Sequence, residues 1–143
     1  MFQINEYFAP LIKMMSEAIE KKTNVLLKDY GVTSGQIHIL VVLSTMKNNE
    51  CTLKKLEKIF SFSQAAIAAT ASRLETKGFV EGYVKENDKR VKYVRLTTKG
   101  EQVVEVAQNK LLNMQEELFS DFSEEDQKQF MSYLQKMHKK LVQ

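Results

Sequence analysis

The chain has 143 residues, of which 43% are hydrophobic and 27% charged, enough for one folded domain with a real core and too apolar for a disordered chain. No apolar run approaches the roughly 20 residues that cross a bilayer, and the opening Met-Phe-Gln-Ile-Asn-Glu lacks a signal-peptide pattern, so the expectation is a cytoplasmic protein without a membrane partner. A single Cys excludes an internal disulfide framework, and two His far apart do not make a zinc site.

Residues 5 to 29 read as a first helix. Tyr7, Leu11, Met14 or Met15, Ala18, Val25 and Leu26 keep a helical period, while Lys21 and Lys22 face out. Pro10 lies near the start or bends the helix, and Gly31 ends it. Thr33-Ser34-Gly35-Gln36 has the form of a capping box, followed by Ile37, Leu40, Val41, Leu43 and Met46 as a buried second helix. His38, between two isoleucines, reads as a helix-packing histidine, and Met14, Met15 and Met46 as core. Lys47 to Glu50 is a polar loop, and Cys51 a small packing residue.

Residues 52 to 98 are the centre of the organisation. Thr52 precedes Leu53, Leu56 and Phe60, a short stripe with Lys54, Lys55 and Lys58 between. Ser61-Phe62 leaves room only for a tight turn, so the next helix must cross steeply, as in a helix-turn-helix. Ser63 can cap that helix, and Ile67, Ala71 and Leu74 form its apolar stripe. Its opposite face carries Gln64, Ala65, Ala68, Ala69, Ser72, Arg73 and Thr76, slim enough for a major groove. Gly78 suits a left-handed stop, with Phe79 returning onto Leu74. Phe79 to Val84 and Val91 to Leu96 are rich in β-branched and aromatic residues around a charged turn from Lys85 to Arg90, which makes a β-hairpin with a basic tip. This segment holds ten basic and five acidic residues, a net of +5, against −2 for the remainder. A positive field concentrated there suits a polyanion.

Thr97 caps a long helix through about Leu118, with Val103, Val104, Ala107, Leu111, Met114 and Leu118 on its apolar side. Ser123 starts a last helix, its acids at the positive end of the dipole, along which Phe130, Leu134, Met137 and Leu141 recur. The terminal helices hold more apolar side chains than they can cover alone. The expected cover is a second copy of the chain, meeting through Tyr7, Leu11, Leu118, Phe130, Leu134, Met137 and Leu141. Residues 1–30 and 100–143 are then a helical dimerisation region, and residues 31–99 a winged helix-turn-helix. The fold class is mainly α with a small β-hairpin wing.

Three motifs in order carry a resemblance: Arg73-Leu74-Glu75-Thr76-Lys77-Gly78-Phe79-Val80, Asp88-Lys89-Arg90, and Leu96-Thr97-Thr98-Lys99-Gly100. With their helical flanks, they make the chain resemble the MarR family of bacterial transcriptional regulators over nearly its whole length. Glu57 stands where the family usually has Ala, and Gly82 where an Arg often follows the recognition helix. The resemblance implies a homodimeric repressor on a pseudo-palindromic operator in double-stranded DNA, without a resident cofactor or metal. It also implies a cleft for a small aromatic or anionic effector, and an Asp88 that orients Arg90 for the minor groove. The family's peroxide-sensing branch carries its Cys in the first helix, and this chain has none there. The expected DNA-contacting set is Thr52, Lys54, Lys55, Ser63, Gln64, Ala65, Ala66, Ala69, Arg73, Lys85, Asp88, Lys89, Arg90 and Lys92. Gln64 is the best-equipped base reader, offering a bidentate amide to adenine. An enzyme is disfavoured by the lack of a nucleophile–base constellation, a glycine-rich phosphate loop or a metal cluster. The alternative is a winged helix used only for protein contacts, which salt-dependent binding to random duplex would separate from a DNA binder.

Overall fold

The computed structural model describes Gln3, residues 6–60 and residues 62–143. Met1, Phe2, Ile4 and Asn5 of the expected amino-terminal segment, and Ser61 of the expected turn, lie outside the described residues. Helix α1 spans Phe8–Leu27, with Pro10 in its first turn, where a missing N–H breaks no intrahelical bond. A 3₁₀ turn at Lys28–Tyr30 follows, and Gly31 closes it. Helix α2, Ser34–Thr45, opens with the expected capping box: the Gln36 N–H donates to Thr33 Oγ1, and the Thr33 N–H to Gln36 Oε1, both at 3.2 Å. It buries Ile37, Ile39, Leu40 and Leu43, too wide an apolar arc for a surface helix, and so takes the central place.

The chain continues through β1 (Glu50–Thr52), α3 (Leu53–Phe60), α4 (Gln64–Thr76), β2 (Val80–Lys85), β3 (Asp88–Leu96), α5 (Thr98–Leu118) and α6 (Glu124–Leu141). The strands form one antiparallel sheet in the order β1-β3-β2, with Cys51 and Gly82 flanking Val94. The expected hairpin is present as β2 and β3, and β1 adds a third strand beside β3. Residue Glu50, read as loop, begins β1, and three residues are too few for an alternating pattern to register. At the tip, β3 begins at Asp88 rather than Val91. Lys85 pairs with Asp88 and Val84 with Lys92, so Lys89, Arg90 and Val91 form an irregularity in the ladder.

Residues up to Gln108 form one compact unit and Asn109–Gln143 a second. The first is built on Leu27, Ile37, Leu40, Leu43, Leu56, Ile67, Leu74 and Val94, all almost fully buried, with Val104 and Ala107 in the same cluster. Truncating one such leucine to alanine costs about 2–5 kcal/mol. In the second unit, Phe119 meets Phe122 and Phe130 edge-on at 5.8 and 5.6 Å, and Ser123 Oγ accepts the Asp126 N–H at 3.1 Å to start α6.

Helix α1 departs from its expected face. Thr23 and Leu27, four residues apart, are its buried pair, whereas Val25 is 72% exposed. Threonine counts as polar in a hydropathy pattern, so the true face was hidden. Met14 and Met15 are not core in the single chain but exposed, as are Tyr7, Phe8 and Leu11. His38 is exposed as well, because Ile37 and Ile39 turn inward on either side of it.

Helix α4 ends in the expected Schellman arrangement. Gly78 has φ +80°, its N–H donates to Glu75 O, and the Phe79 N–H donates to Leu74 O, both at 3.0 Å. The Thr97 hydroxyl donates to Gly78 O at 2.6 Å and accepts the Gly100 N–H at 3.1 Å, while the Thr97 N–H donates to Phe79 O at 3.1 Å. A Cβ at Gly100 would collide with the Phe79 carbonyl. Gly100→Ala is therefore expected to lose about 1–3 kcal/mol in urea unfolding. Gly35→Ala, in open space on α2, should be neutral or gain about 0.4–1 kcal/mol. Equal midpoints for Gly100→Ala and the parent would show that the contact relaxes freely.

Candidate nucleic-acid interface

Helix α4 is held by its apolar stripe and presented by its cap. Ile67, Ala71 and Leu74 are buried, and Ser63 Oγ accepts the Ala66 N–H at 3.1 Å. Gln64, Ala65, Ala66, Ala68, Ala69, Ser72, Arg73 and Thr76 are all exposed, on the face read from the sequence. Thr70 and Thr76 turn their hydroxyls back onto Ala66 O and Ser72 O, at 2.9 and 3.0 Å. Hydrogen-bonding capacity on the outer face therefore rests on Gln64, Ser72 and Arg73. The alanines offer methyl contacts alone.

Helix α3 carries Lys54, Lys55 and Lys58 on its exposed side and fixes Leu56 in the core. Thr52 lies half-buried at the end of β1, and its Oγ1 accepts the Lys55 N–H at 3.1 Å as a helix cap. Between the helices, Phe60 and Phe62 stack at 5.7 Å.

At the wing tip, a single carboxylate oxygen of Asp88 accepts both the Arg90 N–H at 3.1 Å and Arg90 Nε at 3.2 Å. The Arg90 side chain is 92% exposed, so the pair adds almost nothing to stability. Its effect is geometric, since one edge of the guanidinium is fixed relative to its own backbone. Lys89 is exposed beside it.

The wing also holds groups that the sequence reading passed over. On its outer face Tyr83 and Tyr93 are directly paired and stack at 5.4 Å. Lys85 Nζ lies 4.3 Å from the Tyr93 ring centre, Arg95 lies 4.8 Å from that of Tyr83, and Arg95 pairs with Glu81 at 2.6 Å. The period-two series Glu81, Tyr83, Lys85 opposite Tyr93 and Arg95 was the signal that could have found this ladder. At Gly82, a Cβ would sit 2.7 Å from Lys92 Cε. Lys92 Nζ is 3.9 Å from Glu75 Oε2, and Glu75 Oε1 accepts the Gly82 N–H at 3.2 Å. The side chain missing at Gly82 thus leaves the space that Lys92 fills, and Glu75 joins α4 to the wing.

Cys51 is buried, as expected of a packing residue. Burial pushes its thiol above the ordinary value, and the charge of Lys55 opposes this only in part. Among the described residues no group of three or more His, Cys, Asp or Glu could hold a metal ion, and no helix is long and apolar enough to cross a membrane.

A model of the MarR family matches residues 32–92, from the end of the first loop to the wing. The uncharacterized HTH-type transcriptional regulator YwoH of Bacillus subtilis is 33% identical over 130 residues, which cover 91% of this chain and 93% of that protein. The S. aureus MepR–DNA complex superposes with a TM-score of 0.86 at 27% identity, covering 94% of this chain and 98% of that one. A mutant E. coli MarR complexed with operator DNA gives a TM-score of 0.83 at 25% identity, covering 96% and 99%.

Alkylation checks the state of the thiol. Near neutral pH, Cys51 should react with iodoacetamide far more slowly in the native protein than in concentrated urea, because the thiolate is both scarcer and shielded. Native reactivity equal to that of the unfolded chain would contradict the burial.

Proposed function

Since the chain belongs to the MarR family of transcriptional regulators, and is thus a DNA-binding regulator rather than an enzyme, we propose that it acts in the cytoplasm as a homodimeric repressor. The operator is pseudo-palindromic, and each subunit reads one half-site. The observation that carries this reading is the exposed small face of α4, flanked by the lysines of α3 and by the Asp88–Arg90 pair of the wing. In this reading α4 enters the major groove, Lys54 and Lys55 meet phosphates, and Arg73 serves the groove edge. Arg90 enters the adjacent minor groove, with Lys89 close by. The MepR and MarR chains of similar fold are each in complex with DNA.

Two copies meet through α1 and the carboxy-terminal helices. Tyr7, Leu11, Leu118, Met137 and Leu141 are exposed in the single chain, and burying such side chains against a second copy is the direct way to remove them from water. Phe130 and Leu134 complete that surface at half-buried positions of α6. A small aromatic or anionic effector completes the reading as the signal that lowers operator affinity.

Two substitutions test how the DNA is read. Gln64→Ala should relax selectivity at one symmetric pair of positions and cost roughly 1–3 kcal/mol per half-site. An unchanged sequence preference would place base reading elsewhere. For the wing, Arg90→Ala should cost a similar amount, roughly 1–3 kcal/mol per half-site, and lower the salt slope by about one charge per subunit. Asp88→Ala separates orientation from charge. Coulomb repulsion alone predicts tighter binding once an acid near DNA is removed. The orienting role predicts weaker binding, because a freed Arg90 loses more side-chain entropy on docking. Fluorescence anisotropy at several salt concentrations decides, and binding as tight as the parent's would remove the orienting role.

A further inference from the structure

Lys77 follows the last residue of α4 and occupies its C-cap. A lysine at the end of a recognition helix is ordinarily read as a phosphate contact or a solvated charge. Here its ammonium donates to Gly31 O at 2.7 Å and to Gln36 Oε1 at 2.9 Å, partners 46 and 41 residues away in sequence. Gln36 is itself fixed: it is only 7% exposed, and the same Oε1 accepts the Thr33 N–H in the capping box. Two residues earlier, the Ser34 N–H donates to Asn24 Oδ1 of α1 at 2.6 Å. The backbone of Lys77 is held too, since Lys99 Nζ donates to Lys77 O at 2.8 Å.

These bonds converge on the elbow between α1 and α2, at Gly31 to Gln36. An ammonium has three donors in a compact group, and two of them are committed to fixed acceptors at this elbow. A charge so placed also suits the negative end of the α4 dipole. The site of greatest consequence is therefore not the helix end alone. It is the angle between α4, which meets DNA, and α1, which leads to the second copy.

We propose that Lys77 is a positioning residue for DNA recognition. It fastens the end of the recognition helix to the α1–α2 elbow, and so sets the separation at which a dimer offers its two recognition helices. This rests on the reading of a dimer on two half-sites. Lys77→Met keeps the aliphatic stem and removes the donors. Gln36 Oε1 retains the Thr33 N–H and Gly31 O is open to water, so the fold survives and the tie does not. Lys77→Arg retains donors at the same place.

The test has two arms on the full-length protein. In the free protein, amide hydrogen exchange in Lys77→Met should quicken at Ser34 to Ile37 and at Lys77 to Phe79, stay unchanged at Val94 and Leu96, and return toward the parent in Lys77→Arg. In the second arm, anisotropy is measured over operators whose half-site separation is lengthened or shortened by single base pairs. Lys77→Met should bind the best separation about tenfold more weakly and lose less at the others, with the salt slope unchanged. Unaltered exchange at both segments overturns the tie. A salt slope lower by about one charge per subunit, with the separation preference intact, overturns it in favour of a phosphate contact. A parent protein without any separation preference would count against the dimer reading itself, and the exchange arm would still decide on the tie.

Discussion

The hydroxyl of Thr97 ties together α4, the wing and α5. It donates to Gly78 O, where α4 stops, and accepts from the Gly100 N–H, where α5 starts, while the Thr97 backbone takes Phe79 O. One residue thus fixes three things: the end of α4, the root of the wing and the start of the helix that follows. Gly78 is required there because the backbone turns left-handed, and Gly100 because Phe79 O leaves no space for a Cβ. The two motifs around Gly78 and Gly100 are therefore halves of a single contact. Loosening it would let α4 and the wing move separately, and a groove reader depends on their holding one geometry.

The exposed α4 face that this junction supports is poor in hydrogen-bonding groups. Four exposed alanines leave Gln64, Ser72 and Arg73 as the polar side chains of the α4 face. Thr70 and Thr76 are already spent on their own helix. In the proposed reading, much of the discrimination comes from DNA shape, to which a minor-groove arginine is sensitive. The geometry of the wing supports that proposal. The stacked tyrosines with Lys85 and Arg95 over their faces stiffen the sheet below the tip, and Asp88 restricts Arg90 at the tip. Lys92 crosses above Gly82 to Glu75 and so places a cation beside that glycine.

The parts of the fold that declare themselves through local chemistry were legible. The caps at Thr33, Ser63, Thr97 and Ser123 and the stop at Gly78 each depend on one residue and its near neighbours, and each stands where it was read. Features that arise from distant pairing were not. β1 has three residues and exists because Cys51 meets Val94 some forty positions on. Thr52 was read as a DNA contact, and its bond to the Lys55 N–H at the start of α3 emerges only in the fold. Lys77 looked like any lysine at a helix end, and only the fold brings Gly31 and Gln36 to it. On α1, hydropathy favoured Val25, whereas the fold buries Thr23 and Leu27.

The central claim is that two copies of α4 and the wing read two half-sites on one face of the duplex. Hydroxyl-radical footprinting on a duplex selected by this protein from random DNA tests it most directly. Two protected patches related by a two-fold axis, with centres about one turn or roughly 34 Å apart on the same face, and added minor-groove protection outside each, are expected. A single patch, or two on opposite faces of the helix, would contradict the account.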